Sequence, residues 1–124
     1  MPCDMKSFPD YLRLDFSGRV ALADFDSLLE PALKELRRSH RALADLRAID
    51  AFDFGFSGTR RLARDGFGRT EAPSRLALVA EQGAVFGMAR MLGSLVERFY
   101  SEHRVRVFND ELEALHWLCH GNKG

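Results

Sequence analysis

The sequence holds few of the residues on which specialised small proteins are built. There are two cysteines, Cys3 and Cys119, near opposite ends, and neither stands in a C-x-x-C pair. That argues against a disulfide framework, a cysteine-rich zinc site and a dithiol redox motif. The expectation is two reduced thiols in a cytoplasmic protein, with a single bridge between the ends left open. Neither charge is in excess, since 18 Lys and Arg balance 18 Asp and Glu. A dedicated nucleic-acid or membrane-surface binder carries a basic surplus, so no nucleic-acid partner is expected, although a local patch is compatible with the balance. No apolar run approaches the ~20 residues that span a bilayer. The opening "MPCDMKSFPD" lacks the apolar stretch of a signal peptide. Internal repeats and low-complexity linkers are missing. So are the phosphate loop G-x-x-x-x-G-K-[ST] and the nucleophile elbow G-x-S-x-G. No cofactor motif is present, and a non-enzymatic domain is expected.

What is there fits one compact domain. A chain of 124 residues buries one core and is short for two. With 46% hydrophobic and 29% charged residues it reads as globular, not disordered. The whole of 1–124 is taken as a single domain with flexible ends at 1–9 and 120–124.

Periodicity divides the chain into strands and helices. "YLRLDF" (11–16) alternates strictly, with Leu12, Leu14 and Phe16 on one side, which predicts a half-buried strand. Ser17-Gly18 is a turn signal, and "RVAL" (19–22) then reads as a short returning strand. Over 24–39 the period changes: Phe25, Leu28, Leu29, Ala32, Leu33 and Leu36 form a helical stripe. Ser27 and Glu30 match a capping box there, and Pro31 is tolerable only near a first turn. "ALADLRAI" (42–49), "RLALVA" (75–80) and "VRVF" (105–108) predict three more strands. The first two are nearly continuous in apolar residues, as strands covered on both faces are. Helices are predicted over 57–67, over 85–99 and over 110–119, the last opening on an Asp110/Glu113 capping pair. Strands alternating with helices imply crossovers and a helix-covered sheet. The fold class is α/β: a four- to five-stranded mixed, mostly parallel sheet with one antiparallel edge hairpin and about four helices.

That order at this length resembles the STAS domain, and within it the small stand-alone SpoIIAA-like (anti-sigma-factor-antagonist-like) members. The resemblance rests on "LADLRAI" as central strand, on "RLALVAEQGAVFGMARML" as a strand running into a helix, and on "VRVFNDELEALHWL" at the end. It implies a regulatory protein–protein interaction module. In the antagonists, a serine just after the central strand is phosphorylated beside a glycine that opens the next helix. The matching place here is Ser57-Gly58.

The stretch "FDFGFSGTRRLARDGFGR" (52–69) therefore has two readings. A helix amino terminus favours an anion, and Ser57, Gly58, Thr59, Arg60 and Arg61 would form a phosphorylation or anion-binding site. Alternatively, Ser57 or Thr59 caps a helix whose arginines are solvated and whose end is marked by Gly66 and Gly68. "GFSG" also matches the backbone-clamping loop of one RNA-binding module, which the strand order argues against.

Other candidate chemistry is thinner. His116 and His120 stand four apart with Cys119 beside them, but a third metal ligand is not identifiable, so no metal site is predicted. Asp45 lies inside a strand, where burial would raise its pKa unless it is paired, and Arg47 on the same face is its expected partner. Phe86, Met88, Met91, Phe99 and Tyr100 make helix 85–100 apolar around much of its surface. Burial is the first expectation for them, then a homodimer interface, then one wall of a pocket for an apolar, lipid-like small molecule. The functional expectation is a protein partner or a second copy, with the ligand-binding module as the alternative.

Overall fold

The computed structural model describes residues 3–66, 74–81 and 83–120. Ten elements follow one another among the described residues. Strands β1 (Cys3–Ser7) and β2 (Leu12–Val20) precede helix α1 (Leu22–Ser39) and strand β3 (Arg41–Phe52). Helix α2 (Phe56–Arg61) runs into a π-helical turn, Leu62–Gly66. Strand β4 (Arg75–Val79), helix α3 (Ala84–Phe99), strand β5 (Arg104–Phe108) and helix α4 (Glu111–His120) complete the domain. The alternation expected from the sequence is present, and so is the five-stranded, mostly parallel sheet with one antiparallel edge.

The strands lie in the order β1-β2-β3-β4-β5. Among the described strands only β1 against β2 is antiparallel. Each parallel step moves one place the same way, and right-handed crossovers that all move one way lay their helices on one face. The two core clusters show this. Leu28 and Ala32 of α1, Ala63 of the π turn, and Ala89 and Val96 of α3 pack with Leu14, Phe16, Ala42, Ala44, Leu46 and Leu78. On the other face Leu43, Ala77 and Val79 meet Ala114 and Leu118 of α4. Strand alternation supplies both sets, which is why β3 and β4 read as almost unbroken apolar runs.

The first hairpin differs from its expected position. Ser17-Gly18 does not reverse the chain, and 19–22 is not a returning strand. Gly18 takes a positive φ of 74° while β2 stays in the sheet as far as Val20. Two register shifts against β3 occur there, between Asp15 and Ser17 and between Gly18 and Arg19. In each, β3 carries the additional residue, so the irregularity is a bulge and not a turn. It also explains why Arg47 and Ala48 are both exposed between buried Leu46 and Ile49. The partner that makes the edge hairpin is β1, in the segment expected to be a flexible end. Cys3 pairs with Phe16 and Ser7 with Leu12. Its turn is closed by Phe8 N–H donating to the Tyr11 carbonyl at 2.9 Å, with the two rings stacked 5.0 Å apart.

α1 also begins earlier than its expected capping box. The Asp24 carboxylate accepts the Ala21 N–H at 2.7 Å, and Ser27 lies inside the helix with its hydroxyl on the Ala23 carbonyl at 3.2 Å. Pro31 is then interior and exposed. The helix ends on His40, whose left-handed φ of 60° lets its N–H reach the Leu36 carbonyl at 2.8 Å.

Candidate functional site

Between the sheet and helices α1 to α3 lies a cavity of about 120 Å³. Its floor is Leu14 and Phe16 of β2, Ala42, Ala44 and Leu46 of β3, and Leu76 and Leu78 of β4. Phe25, Leu28, Ala32, Leu33 and Leu36 of α1 form one wall; Met88, Ala89 and Leu92 of α3 form another. Phe52 and Phe54, with Thr59 and Leu62, close the end where the strands finish. The cause is legible in the residue sizes. Four lining positions, on α1, β3 and α3, are alanine. A sheet and a helix layer pack about 10 Å apart, and an alanine side chain facing an alanine leaves part of that gap without atoms.

The lining is almost wholly apolar. Its buried hydroxyl is Thr59, which is 1% exposed. Thr59 Oγ1 donates to the Gly55 carbonyl at 3.0 Å and has Met88 Sδ at 3.0 Å. At the opposite end Arg75 borders the cavity, and so does Ser74. Its N–H donates to His103 Nδ1 at 3.2 Å, and its hydroxyl lies 3.1 Å from the same nitrogen. Arg104 N–H in turn donates to the Ser74 carbonyl at 2.9 Å. Burial lowers the His103 pKa, partly opposed by Glu102. A neutral imidazole accepting a backbone N–H is a structural anchor for the start of β4, and its serine–histidine contact has no third group behind it among the described residues.

The helix 85–100 candidates fall on both sides of this question. Met88 lines the cavity. Phe86 and Phe99 pack against the core cluster that surrounds it. Met91 is half-buried, and the Tyr100 hydroxyl donates to the Arg64 carbonyl. The large exposed hydrophobics among the described residues are Phe8, Phe56 and Leu112, none of them on α3. The apolar surface of α3 thus faces inward.

The anion candidates are close in sequence but point apart. Ser57 is exposed, whereas Thr59 is buried against Met88. The Arg60 guanidinium lies 5.6 Å above the Phe99 ring, and Arg61 pairs with Asp65 at 3.7 Å. Asp53 holds Arg19 at 2.6 Å. Nor do Ser57 or Thr59 cap the helix as the alternative reading expected. Gly55 occupies the N-cap and no side chain bonds there. Gly58 has a packing reason instead, because a Cβ there would stand 2.7 Å from the Phe54 Cβ. Gly66 closes the π turn, and Gly68 lies outside the described residues.

The expected Asp45–Arg47 pair is present at 2.8 Å and is part of a larger network. Arg13 reaches Asp15 at 3.0 Å, Asp45 at 3.3 Å and Glu111 at 3.0 Å, while Arg47 also holds Glu111 at 2.7 Å. The Arg47 hydrogen bonds, against the cost of burial, hold Asp45 below its ordinary pKa, and those of Arg13 do the same for Glu111. Sequence reading missed Arg13 and Glu111, which lie on β2 and α4 and meet only through the fold.

Both cysteines are free thiols. Burial, with the charges of Asp4 and Asp15, pushes Cys3 up to about 11, and burial raises Cys119 as well. His116 and His120 are exposed with ring centres 5.6 Å apart. No group of three or more metal-ligating side chains occurs among the described residues, and no helix there is long and apolar enough to cross a membrane.

Comparison with known proteins matches this fold. A family model described as SpoIIAA-like matches residues 11–119. A crystal structure of an uncharacterized protein from the DUF3478 family with a SpoIIAA-like fold, from Shewanella loihica PV-4, superposes with a TM-score of 0.61. It is 18% identical, and the match covers 94% of this chain and 92% of that one. No curated protein matches the chain.

Proposed function

The chain belongs to the SpoIIAA-like family, with a STAS-like fold, and from that premise we propose that it binds a compact apolar small molecule between its sheet and helices α1 to α3. The cavity carries this reading. A well-packed core of this size has few voids larger than a water molecule, and 120 Å³ is far above that. An apolar cavity of about 150 Å³ in another protein stays dry and takes up benzene. The scale here therefore suits a six-membered ring or a short branched chain. Drug-sized ligands occupy roughly 300–1,000 Å³, so a membrane-lipid acyl chain would need the helices to part. Thr59 supplies the polar handle: its hydroxyl can rotate from Gly55 to meet an acceptor on the ligand. The activity proposed is binding and not catalysis, in a cytoplasmic setting.

Native mass spectrometry of the protein purified from its own host tests this. A non-covalent adduct lost on denaturation is the expected result. Titration with toluene, followed at the Met88 methyl resonance, should show a saturable shift. A bare mass together with an unmoved Met88 signal would sink the proposal.

Regulation by protein contact keeps one supporting observation of its own. Phe56 is 59% exposed at the start of α2, next to exposed Ser57. A large exposed aromatic beside a modifiable hydroxyl suits a switchable contact. Phosphate on Ser57 in the host-purified protein, absent from Ser57→Ala, would support that reading; an unmodified Ser57 under all growth conditions would remove it.

A further inference from the structure

We propose that the rim of the sheet where the parallel strands begin, on the α4 side, is a docking surface for an acidic segment of a partner protein, recognised by Arg41, Arg104 and Arg106 beside Arg75. Strand registry sets Arg41 beside Arg75 and Arg75 beside Arg104. Register partners on parallel strands share a face and lie about 4.8 Å apart, so the three stems form a row about 10 Å long. Arg106, two residues further on β5, shares that face.

The face is that of α4. Arg75 donates to the Trp117 carbonyl at 3.2 Å, and its guanidinium lies 5.5 Å from the Trp117 ring centre. Arg106 lies 5.9 Å from Trp117 and 5.7 Å from Phe108. The charge of Arg41 acts on Cys119.

Like charges placed side by side across a sheet oppose folding. The same face shows how this chain answers arginines elsewhere: Arg13 and Arg47 are met by Asp15, Asp45 and Glu111. The rim is answered differently. Arg104 donates to the carbonyls of Ser101 and His103, and Arg106 rests on rings. Asp10 and Glu102 are near, acting on Cys119 and His103, yet neither forms an ion pair with Arg41, Arg104 or Arg106. Carbonyls and rings are neutral, and the carboxyl end of α4 contributes only about half a negative charge. Positive charge is left over on a protein whose total is zero.

Guanidinium forks match carboxylates two bonds at a time, and Arg41, Arg104 and Arg106 together take two or three of them. A nucleic acid would need a longer basic track with free stacking faces. A membrane would need a broad basic field, which the balanced charge does not offer. Arg75 also borders the cavity, whereas Arg41, Arg104 and Arg106 do not, so the two proposals are tested on different residues.

Trp117 is the single tryptophan and reports on the row directly. The probe is an eight-residue peptide of alternating glutamate and serine, with its glutamine counterpart and phosphatidylglycerol vesicles as comparisons. The expected result is a saturable change of Trp117 emission with the glutamate peptide, weakened by salt. Arg104→Glu/Arg106→Glu should weaken it by about tenfold or more. The neutral, exposed change Arg106→Gln should weaken it by about threefold, and keeps the test alive if the double variant does not fold. Arg90→Glu/Arg98→Glu on α3 should leave it unchanged. Equal binding of the glutamine peptide, equal loss in the α3 variant, or a response to vesicles alone would each overturn the proposal.

Discussion

Filling the cavity should stabilise the protein and abolish its ligand binding at the same time. An unfilled cavity costs about 24 cal/mol per Å³, so 120 Å³ corresponds to about 3 kcal/mol of stability forgone. Ala44 on β3 and Ala89 on α3 both line the space and are 4% and 2% exposed. Ala44→Val adds two carbons of a type strands accept, and Ala89→Leu adds three of a type helices accept. Each buried carbon contributes about 0.8 kcal/mol at best. Imperfect fit and lost rotamer freedom reduce that, leaving about 1 kcal/mol for Ala44→Val and up to about 2 kcal/mol for Ala89→Leu. In a domain of this size each kcal/mol moves the Tm by roughly 4 °C. The assay is denaturant and thermal unfolding of each variant with and without toluene. The wild type should gain stability with toluene, since a ligand at 100 times its Kd adds about 2.7 kcal/mol. The filled variants should start higher and gain little. If both variants are less stable than wild type and still respond to toluene in full, the space is not the binding site and the reasoning fails.

Three further outcomes follow from the packing and the charges. Gly58→Ala should destabilise by about 1–3 kcal/mol despite its better helix propensity, because the new Cβ meets the Phe54 Cβ at 2.7 Å; since Phe54 borders the cavity, toluene affinity should fall with it, measured in the same unfolding series. Arg13→Gln should cost about 2 kcal/mol, leaving Asp45 and Glu111 to Arg47 alone and Asp15 without its arginine. Asp45 and Glu111 are held below their ordinary pKa, so their stabilising share is present above about pH 4 and lost as pH falls through the folded-state values. Urea melts against pH should therefore show a steep acid loss in wild type and a shallower one in Arg13→Gln. His103 is lowered by burial, so charging it opposes folding: stability should decline as pH drops below about 6.5. His103→Asn, whose amide oxygen can still accept the Ser74 N–H, should remove that decline; an unchanged slope would assign it to another group.

What was legible in the sequence was whatever a single element reports about itself. The stripes of α1 and α3 and the apolar runs of β3 and β4 each declare a buried face, and their alternation declares the layered sheet. The edge hairpin was misplaced because Ser17-Gly18 carries the chemistry of a turn and of a bulge equally. Only the neighbouring strand decides between them, and β3 supplies the additional residues that make it a bulge. The cavity was illegible for a related reason. Ala32, Ala42, Ala44 and Ala89 are ordinary residues in their own segments and become a void only when three elements face one another. The arginine row is the same case in charge: Arg41, Arg75 and Arg104 each open a strand, and registry alone makes them neighbours. These non-local features are divided by the sheet. The face under α1 to α3 is apolar and underfilled, whereas the face under α4 carries an ion-paired network with one carboxylate in excess at one end and a basic row at the other. Alternation along each strand keeps them apart, since a residue that serves one face cannot serve the other. A one-residue slip of β4 would carry Arg75 to the cavity side and Leu76 to the rim. Such a slip would bury a guanidinium in an apolar space and expose a leucine, and both costs oppose it. The same residues that define the two proposed surfaces therefore also hold the register that keeps them separate.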